Sequence, residues 1–209
     1  MATAHAHADD HHYTATGIDN RKLAIWTFIG SECMFFASLI GTYLVYKGRD
    51  VVGPKPHGEW LLNGVAQEQM LEIPLVTFGT ALLLFSSFFV VLALNGAQKG
   101  NRKQLIGWLL ATIVCGVFFV GMQVYEFNHF AHRGMGYTTN LFSSTFYTLT
   151  GFHGVHVTVG ILMLLSLVGL SLRGTLGQDK AETVEIIGLY WHFVDIVWII
   201  IFTVVYLTV

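Results

Sequence analysis

The chain has 209 residues, of which 54% are hydrophobic and only 11% are charged, and its mean hydropathy is +0.59. A soluble globular domain carries about 25% charged residues, so this composition indicates an integral membrane protein with little mass outside the bilayer. The net charge of −2, without a basic cluster, argues against nucleic acid as a partner. The two cysteines, Cys33 and Cys115, form neither a disulfide framework nor a CxxC metal motif.

Residues 1–21 form a polar, histidine-containing tail, which we expect to be disordered because of its composition. Five apolar runs follow it, and each reaches the roughly 20 residues that span a bilayer. Their apolar residues are continuous rather than alternating, which excludes a membrane β-barrel. The sequence therefore predicts an all-α membrane protein in which residues 22–209 form one transmembrane domain. Its five helices are expected at about 23–46, 73–94, 105–126, 141–172 and 186–208.

The distribution of Lys and Arg predicts how this bundle is oriented. With five spans, seven of these residues lie on the N-terminal side of the membrane and four on the other side. By the positive-inside rule, the N-terminus is cytoplasmic and the C-terminus is outside. The segment 47–72 contains Pro54 and Pro56 and is predicted to be an extramembrane loop.

Small residues recur four positions apart in the apolar runs, a spacing that lets membrane helices approach closely. The pairs are Ala37 and Gly41, Gly107 and Ala111, and Gly154 and Thr158. This pattern indicates a packed bundle and points to no particular chemistry.

Six polar side chains within or at the ends of the apolar runs are the candidate functional residues. They are Glu32, Glu126, His153, His156, His192 and Asp195. Ionisable groups at membrane depth need partners or a protein interior. His153 and His156 lie three residues apart, as do His192 and Asp195, so each pair is expected to share a helix face.

Three interpretations of these groups remain open. They could ligate haem or metal, with His129 and His132 in a loop nearby, but only Glu126-x-x-His129 has the spacing of an iron-binding bundle. They could form a proton path, since a relay needs several such groups in line. The interpretation we favour is structural: the groups hydrogen-bond across helices and fix their register. We expect Glu32, neutral, to hydrogen-bond an imidazole from another helix, that of His153, His156 or His192.

Several motifs, taken together, resemble subunit III of the haem–copper oxygen reductases, the cytochrome c and quinol oxidases. The resemblance covers the chain from about Arg21 to the C-terminus. It is carried by Ile29-Gly-Ser-Glu-Cys-Met-Phe-Phe36, Gln123-Val-Tyr-Glu-Phe127, Gly134-Met-Gly-Tyr137, Ser143-Ser-Thr-Phe146, Thr150-Gly-Phe-His-Gly-Val-His-Val157 and Tyr190-Trp-His-Phe-Val-Asp-Ile-Val-Trp198. The last two motifs, in this order and at this spacing, are highly specific.

The resemblance implies a non-catalytic, multi-pass subunit of an oxidase in the bacterial inner membrane. Such a complex reduces oxygen to water and pumps protons, with haem and copper in partner subunits and no metal in this chain. Subunit I is the implied main contact, beside subunit II and a small subunit IV. Family members stabilise subunit I during turnover and support its proton uptake. Glu32 matches the family's carbodiimide-reactive carboxyl, and Gly151 and Gly154 are implied to admit close neighbours.

The helix count departs from mitochondrial-type members, which have seven helices and bind phospholipid in a cleft beside the first two. This chain begins at the equivalent of their third helix, so lipid binding in that cleft does not carry over directly, although membrane lipids remain expected ligands. Two other functions are alternatives. One is the related subunit of a nitric oxide reductase complex, and the other is an independent haem-binding or transport protein.

Overall fold

The computed structural model describes residues 20–49, 60–62, 65–67, 73–174, 176 and 181–208. Nearly all of the predicted N-terminal tail lies outside these residues. The described chain contains five long helices, each long and apolar enough to cross a membrane, which confirms the predicted helix count. They are α1 (Asn20–Tyr46), α2 (Ile73–Gln98), α3 (Arg102–His132), α4 (Leu141–Leu172) and α5 (Ala181–Phe202), and a π-helical turn, Thr203–Leu207, continues α5.

Between α1 and α2 lies a short antiparallel pair of strands, β1 (Trp60–Leu62) and β2 (Val65–Gln67). Leu62 pairs with Val65 at its turn end. The sequence indicated only a loop here, because three-residue strands are too short to produce a periodic pattern. The pair does not span a membrane, so the exclusion of a barrel is unaffected.

The third helix is longer than its apolar run. It continues beyond residue 126 to His132, so His129 and His132 belong to its last turns and not to a loop. His129 stacks on Tyr125, one turn earlier, with ring centroids 6.1 Å apart. The helix ends before Gly134, whose φ of 86° ordinary residues rarely adopt. Hydropathy located the end of the apolar segment, which is not where the backbone stops being helical.

Short connections join the later helices and set their antiparallel packing. Asn101 caps α3 by accepting a hydrogen bond from the Gln104 backbone N–H at 3.2 Å. Asn140 and Ser143 form a reciprocal capping box at the start of α4. These side chains satisfy backbone groups that lack partners in a first helical turn, so both helices begin at defined residues.

The core of the bundle is built around α5, whose most apolar 18-residue window is 56% buried, against 6% for α1. Trp191 is completely buried and lies against two glycines. A Cβ at Gly116 on α3 would lie 2.7 Å from its ring, and one at Gly160 on α4 would lie 2.8 Å from it. These glycines therefore create the space that the largest core side chain occupies.

The predicted small-residue pairs do not account for these close approaches. A Cβ at Gly41, Gly107 or Gly151 would meet nothing within 4 Å among the described residues. Gly154 is the exception, since its Cβ would lie 2.5 Å from Oε1 of Gln123. Ala37 and Thr158 are exposed. Sequence does not reveal this, because a spacing of four residues defines a helix face without saying which way it points.

Candidate functional site

The first polar contact joins α1 to α4 through the pair Glu32–His156. Oε2 of Glu32 lies 3.1 Å from Nε2 of His156. The Glu32 and His156 side chains are only 20% and 16% exposed. Glu32 lies about 18 Å along α1, at 1.5 Å per residue, which is near the middle of a bilayer. Of the three imidazoles that the sequence offered to Glu32, His156 is the one within hydrogen-bonding distance.

The second ring nitrogen of His156 is also engaged. Nδ1 lies 2.7 Å from the Phe152 carbonyl oxygen, which can only accept, so Nδ1 carries a hydrogen and donates it to that oxygen. Both ring nitrogens therefore have partners, one within α4 and one on α1.

Aromatic rings surround this pair. Phe36 meets the His156 ring edge-on at 4.9 Å, and Phe35 stacks on it at 6.2 Å. Phe35 also contacts Phe152 at 5.2 Å. The Tyr190 hydroxyl donates to the His156 backbone carbonyl at 3.1 Å and so joins α5 to the same turn of α4. The polar contact is therefore enclosed by apolar surface, which limits the access of water.

His153, one turn before His156, has a different environment. It is fully buried, stacks on Trp198 at 4.8 Å and meets Phe119 edge-on at 5.8 Å. Neither ring nitrogen has a hydrogen-bond partner among the described residues. The expectation that both histidines of this motif bond across helices therefore fails for His153, which packs as an aromatic ring.

The second polar contact is a hydrogen-bonded chain between α2 and α5, formed by Ser87, His192 and Asp195. The Ser87 hydroxyl makes a short hydrogen bond to Oδ2 of Asp195. Its oxygen lies 2.9 Å from Nδ1 of His192. The expectation that His192 and Asp195 share a face is met, and it is the hydroxyl that connects them. Oδ1 of Asp195 is buried and has no hydrogen-bond partner in the described part of the chain.

The third polar contact joins α3 to the π-helical turn. The Tyr206 hydroxyl lies 2.9 Å and 3.1 Å from the two carboxyl oxygens of Glu126, and both residues are buried. The turn is closed at its C-terminal side by Lys47, whose Nζ donates to the Thr208 carbonyl oxygen at 2.6 Å. Burial lowers the pKa of Lys47 below its usual value. The end of α1 is thereby fastened to the end of the chain.

Sequence reasoning missed the hydroxyl partners on α2. The indole N–H of Trp191 donates to Ser86, and that of Trp198 donates to Thr80, each at 2.9 Å. Tyr190 and Trp191, near the start of α5, are buried in the bundle and do not lie in an interfacial belt. Thr80, Ser86 and Ser87 all contact α5, and the presence of three hydroxyls in a mainly apolar run was the available signal.

A groove of about 280 Å³ lies between α3 and α4, with valines on both walls. Gln123 and Gly154 lie at its lining, and Nε2 of Gln123 donates to the Thr150 carbonyl oxygen at 2.6 Å. The Gln123 side chain occupies the space that a side chain at position 154 would need. The glycine therefore allows the glutamine to lie between the two helices.

The six candidate residues lie at separate places in the bundle and do not form one site. Within the described residues, no three His, Cys, Asp or Glu side chains come together as a metal site. Glu32 and His156 meet between α1 and α4. Ser87, His192 and Asp195 meet between α2 and α5, and Glu126 lies near the ends of α3 and α5. The arrangement can hold protons and bind helices to one another, and it does not present a converging set of ligands.

Comparison with known proteins gives one consistent result. The family model for cytochrome c oxidase subunit III matches residues 3–208. Cytochrome c oxidase subunit 3 of Bacillus sp. strain PS3 is 39% identical over 188 residues, covering 90% of this chain and 86% of that protein. Cytochrome bo(3) ubiquinol oxidase subunit 3 of Pseudomonas aeruginosa is 36% identical over 208 residues, covering 99% and 94%. Quinol oxidase subunit 3 of Bacillus subtilis strain 168 is 38% identical over 186 residues, covering 88% and 85%.

Proposed function

The chain belongs to the cytochrome c oxidase subunit III family, and we propose that it is the non-catalytic subunit III of a bacterial respiratory terminal oxidase. It is a multi-pass protein of the bacterial inner membrane. In this proposal the complex reduces oxygen to water and pumps protons. The observation that carries the proposal is the extent of the similarity, which covers nearly the whole chain and most of each relative.

Polar contacts support a structural role for the candidate residues other than His153, which packs as an aromatic ring. Glu32 is engaged with His156, Glu126 with Tyr206, and Asp195 with Ser87. Each contact joins two different helices, and polar contacts of this kind contribute about 0.6 kcal/mol each in membrane bundles. Several of them together fix the register of helices whose packing against lipid would otherwise be weakly specified.

We assign the redox chemistry to partner subunits. Haem and copper supply electron transfer and oxygen reduction when they are bound in subunit I and subunit II, and this chain docks on subunit I. Its contribution is to keep the neighbouring subunit folded during turnover and to support proton uptake. Glu32 and His156 are the groups we propose for the latter role, because their hydrogen-bonded pair lies near mid-membrane and both side chains remain partly exposed. The proposed orientation has a cytoplasmic N-terminus.

Deletion of the gene for this chain from the oxidase operon tests the proposal. The complex lacking it should start at a similar rate of oxygen consumption, lose activity faster during turnover and take up protons more slowly. Complementation with the parent chain should restore both properties, and a Glu32→Leu chain should restore stability better than proton uptake. An oxidase that turns over with the same lifetime and the same proton uptake without this chain would contradict the proposed role.

The electron donor is a separate question that the same preparation answers. The relatives include subunits of both cytochrome c and quinol oxidases. We propose that the donor binds another subunit, so oxygen consumption with reduced cytochrome c or with quinol should keep the same preference whether or not this chain is present. A change of donor on its removal would place the donor site on this chain.

A further inference from the structure

One face of α5 is left uncovered between α1 and α2, which both pack on α5 but hardly contact each other in the described chain. We name it the α5 outer stripe: Glu185, His192, Ile196, Ile199 and Thr203. These residues follow one another at intervals of seven, four, three and four, so they lie on one side of the helix. Ile196 is 57% exposed and Ile199 is 41% exposed. On one side of the stripe Phe193 contacts Phe36 of α1, and on the other side His192, within the stripe, contacts Ser87 of α2.

The imidazole of His192 is the polar group at the middle of this stripe. We assign His192 the tautomer in which the Nδ1 N–H donates to the Ser87 oxygen, because the Ser87 hydroxyl donates its own hydrogen to Asp195. Nε2 therefore carries a lone pair. It makes no hydrogen bond with the described residues, and it is not among their buried unpartnered atoms. This acceptor thus reaches the outer surface of the chain.

The depth of His192 makes that exposure informative. The residue lies about 17 Å from the start of α5, at 1.5 Å per residue, and the hydrocarbon core of a bilayer is about 30 Å thick. Lipid tails offer no hydrogen-bond donor at this depth. Polar and ionisable side chains in membrane spans face protein or a water-filled cavity instead of lipid.

The outer faces of α2 and α3 provide a contrast. Along the middle of these two spans, at residues 78–94 and 110–124, the exposed side chains are apolar, as suits contact with lipid. They include Phe78, Phe85, Val114, Val117 and Phe118. At mid-membrane the α5 outer stripe combines the aliphatic side chains of Ile196 and Ile199 with the polar imidazole of His192, which is the composition of a helix–helix interface in a membrane.

We propose that the α5 outer stripe binds a transmembrane helix of another subunit of the same oxidase, and that this helix donates a hydrogen bond to Nε2 of His192. The partner presents a hydroxyl, indole, amide or ammonium donor at mid-membrane, flanked by apolar side chains that pack on Ile196 and Ile199. Ser87 and Asp195 orient the imidazole toward it. This inference rests on the proposed function, because it requires neighbouring subunits.

Photocrosslinking in the assembled complex tests the contact. A benzophenone amino acid replaces Ile196 in one variant and Val114, which is 66% exposed on α3, in a matched control. After irradiation in native membranes and isolation in mild detergent, the variant at 196 should crosslink to a transmembrane peptide of an oxidase subunit, and the control should crosslink to lipid. Adducts to lipid alone at 196, in a chain that still copurifies with the oxidase, would overturn the inference and leave the proposed function standing. Failure of the parent chain to copurify would overturn both.

Two substitutions of His192 test the hydrogen bond itself. His192→Gln keeps an acceptor near the position of Nε2, whereas His192→Asn keeps a polar group only beside Ser87. A net hydrogen bond of the usual strength predicts that the Asn variant leaves the complex about fivefold faster during detergent washing, and that the Gln variant leaves at nearly the parent rate. Thermal unfolding of the isolated chains verifies that both variants fold. Equal retention of parent, Gln and Asn chains would refute the donated hydrogen bond.

Discussion

Replacing Gly116 with alanine should destabilise the bundle through a single methyl group. The new Cβ would lie 2.7 Å from Cη2 of Trp191, about 0.7 Å inside the 3.4 Å at which ordinary contact begins, and 3.1 Å from Cγ1 of Ile161. Ile161 can adjust, but Trp191 is held by its hydrogen bond to Ser86 and by Gly160 on its other side. Overpacking of this kind costs about 1–3 kcal/mol.

The matched control is Gly121→Ala on the same helix, because a Cβ there meets nothing within 4 Å. Both substitutions gain the same helix propensity, up to about 1 kcal/mol, so the difference between their free energies of unfolding isolates the packing term. We expect Gly116→Ala to be less stable than Gly121→Ala by about 1–3 kcal/mol. Reversible unfolding of the detergent-solubilised chain, followed by tryptophan fluorescence, measures that difference.

A second substitution separates contact from other effects. Trp191→Phe shortens the ring that the new methyl group would strike, so it should relieve part of the penalty of Gly116→Ala, and the double variant should be more stable than the sum of the single changes predicts. Equal stability of the Gly116→Ala and Gly121→Ala chains would refute the reasoning, since it would mean that Trp191 moves freely in its pocket.

Four further substitutions test three of the polar contacts. Glu32→Gln should retain most of the free energy of unfolding, whereas Glu32→Leu should lose about 1–2 kcal/mol because it leaves Nε2 of His156 without its partner; equal losses from both would argue against the hydrogen bond. Tyr206→Phe should lower the free energy of unfolding by about 1–2 kcal/mol by removing the donor to buried Glu126, and an unchanged midpoint in a denaturant titration would contradict this. Lys47→Met should speed amide hydrogen exchange in the C-terminal turn while leaving α3 protected, and uniform exchange across the chain would count against a local tie.

The five helices and their approximate extents could be predicted because each apolar run exceeds the thickness of the hydrocarbon core. The direction of each polar side chain could not. His153 and His156 are three residues apart, which leaves them about 60° apart around the helix. That angle is enough to bury one among aromatic rings and turn the other toward α1. Sequence spacing gives their relative direction, and only the packing of neighbouring helices determines which one meets Glu32.

The hydrogen-bond partners of the buried groups could not be predicted from the sequence either. Ser87 connects His192 to Asp195, and Tyr206 reaches Glu126 from a π-helical turn that no spacing rule anticipates. Hydroxyl groups are common in membrane helices and bond to their own backbone, as Thr77 does with Ile73. The sequence does not distinguish such a self-satisfied hydroxyl from one that bridges two helices.

Three polar contacts of α1 and of the residue that follows it bear on the order in which the chain folds. Lys22 lies 3.2 Å from Glu185, Glu32 lies 3.1 Å from His156, and Lys47 bonds to Thr208. Each joins α1, or the residue after it, to a residue more than a hundred positions later in the chain. Because a chain is synthesised from its N-terminal side, α1 enters the bilayer before these partners exist. The polar contacts that fix its register therefore form only after α4 and α5 have been inserted.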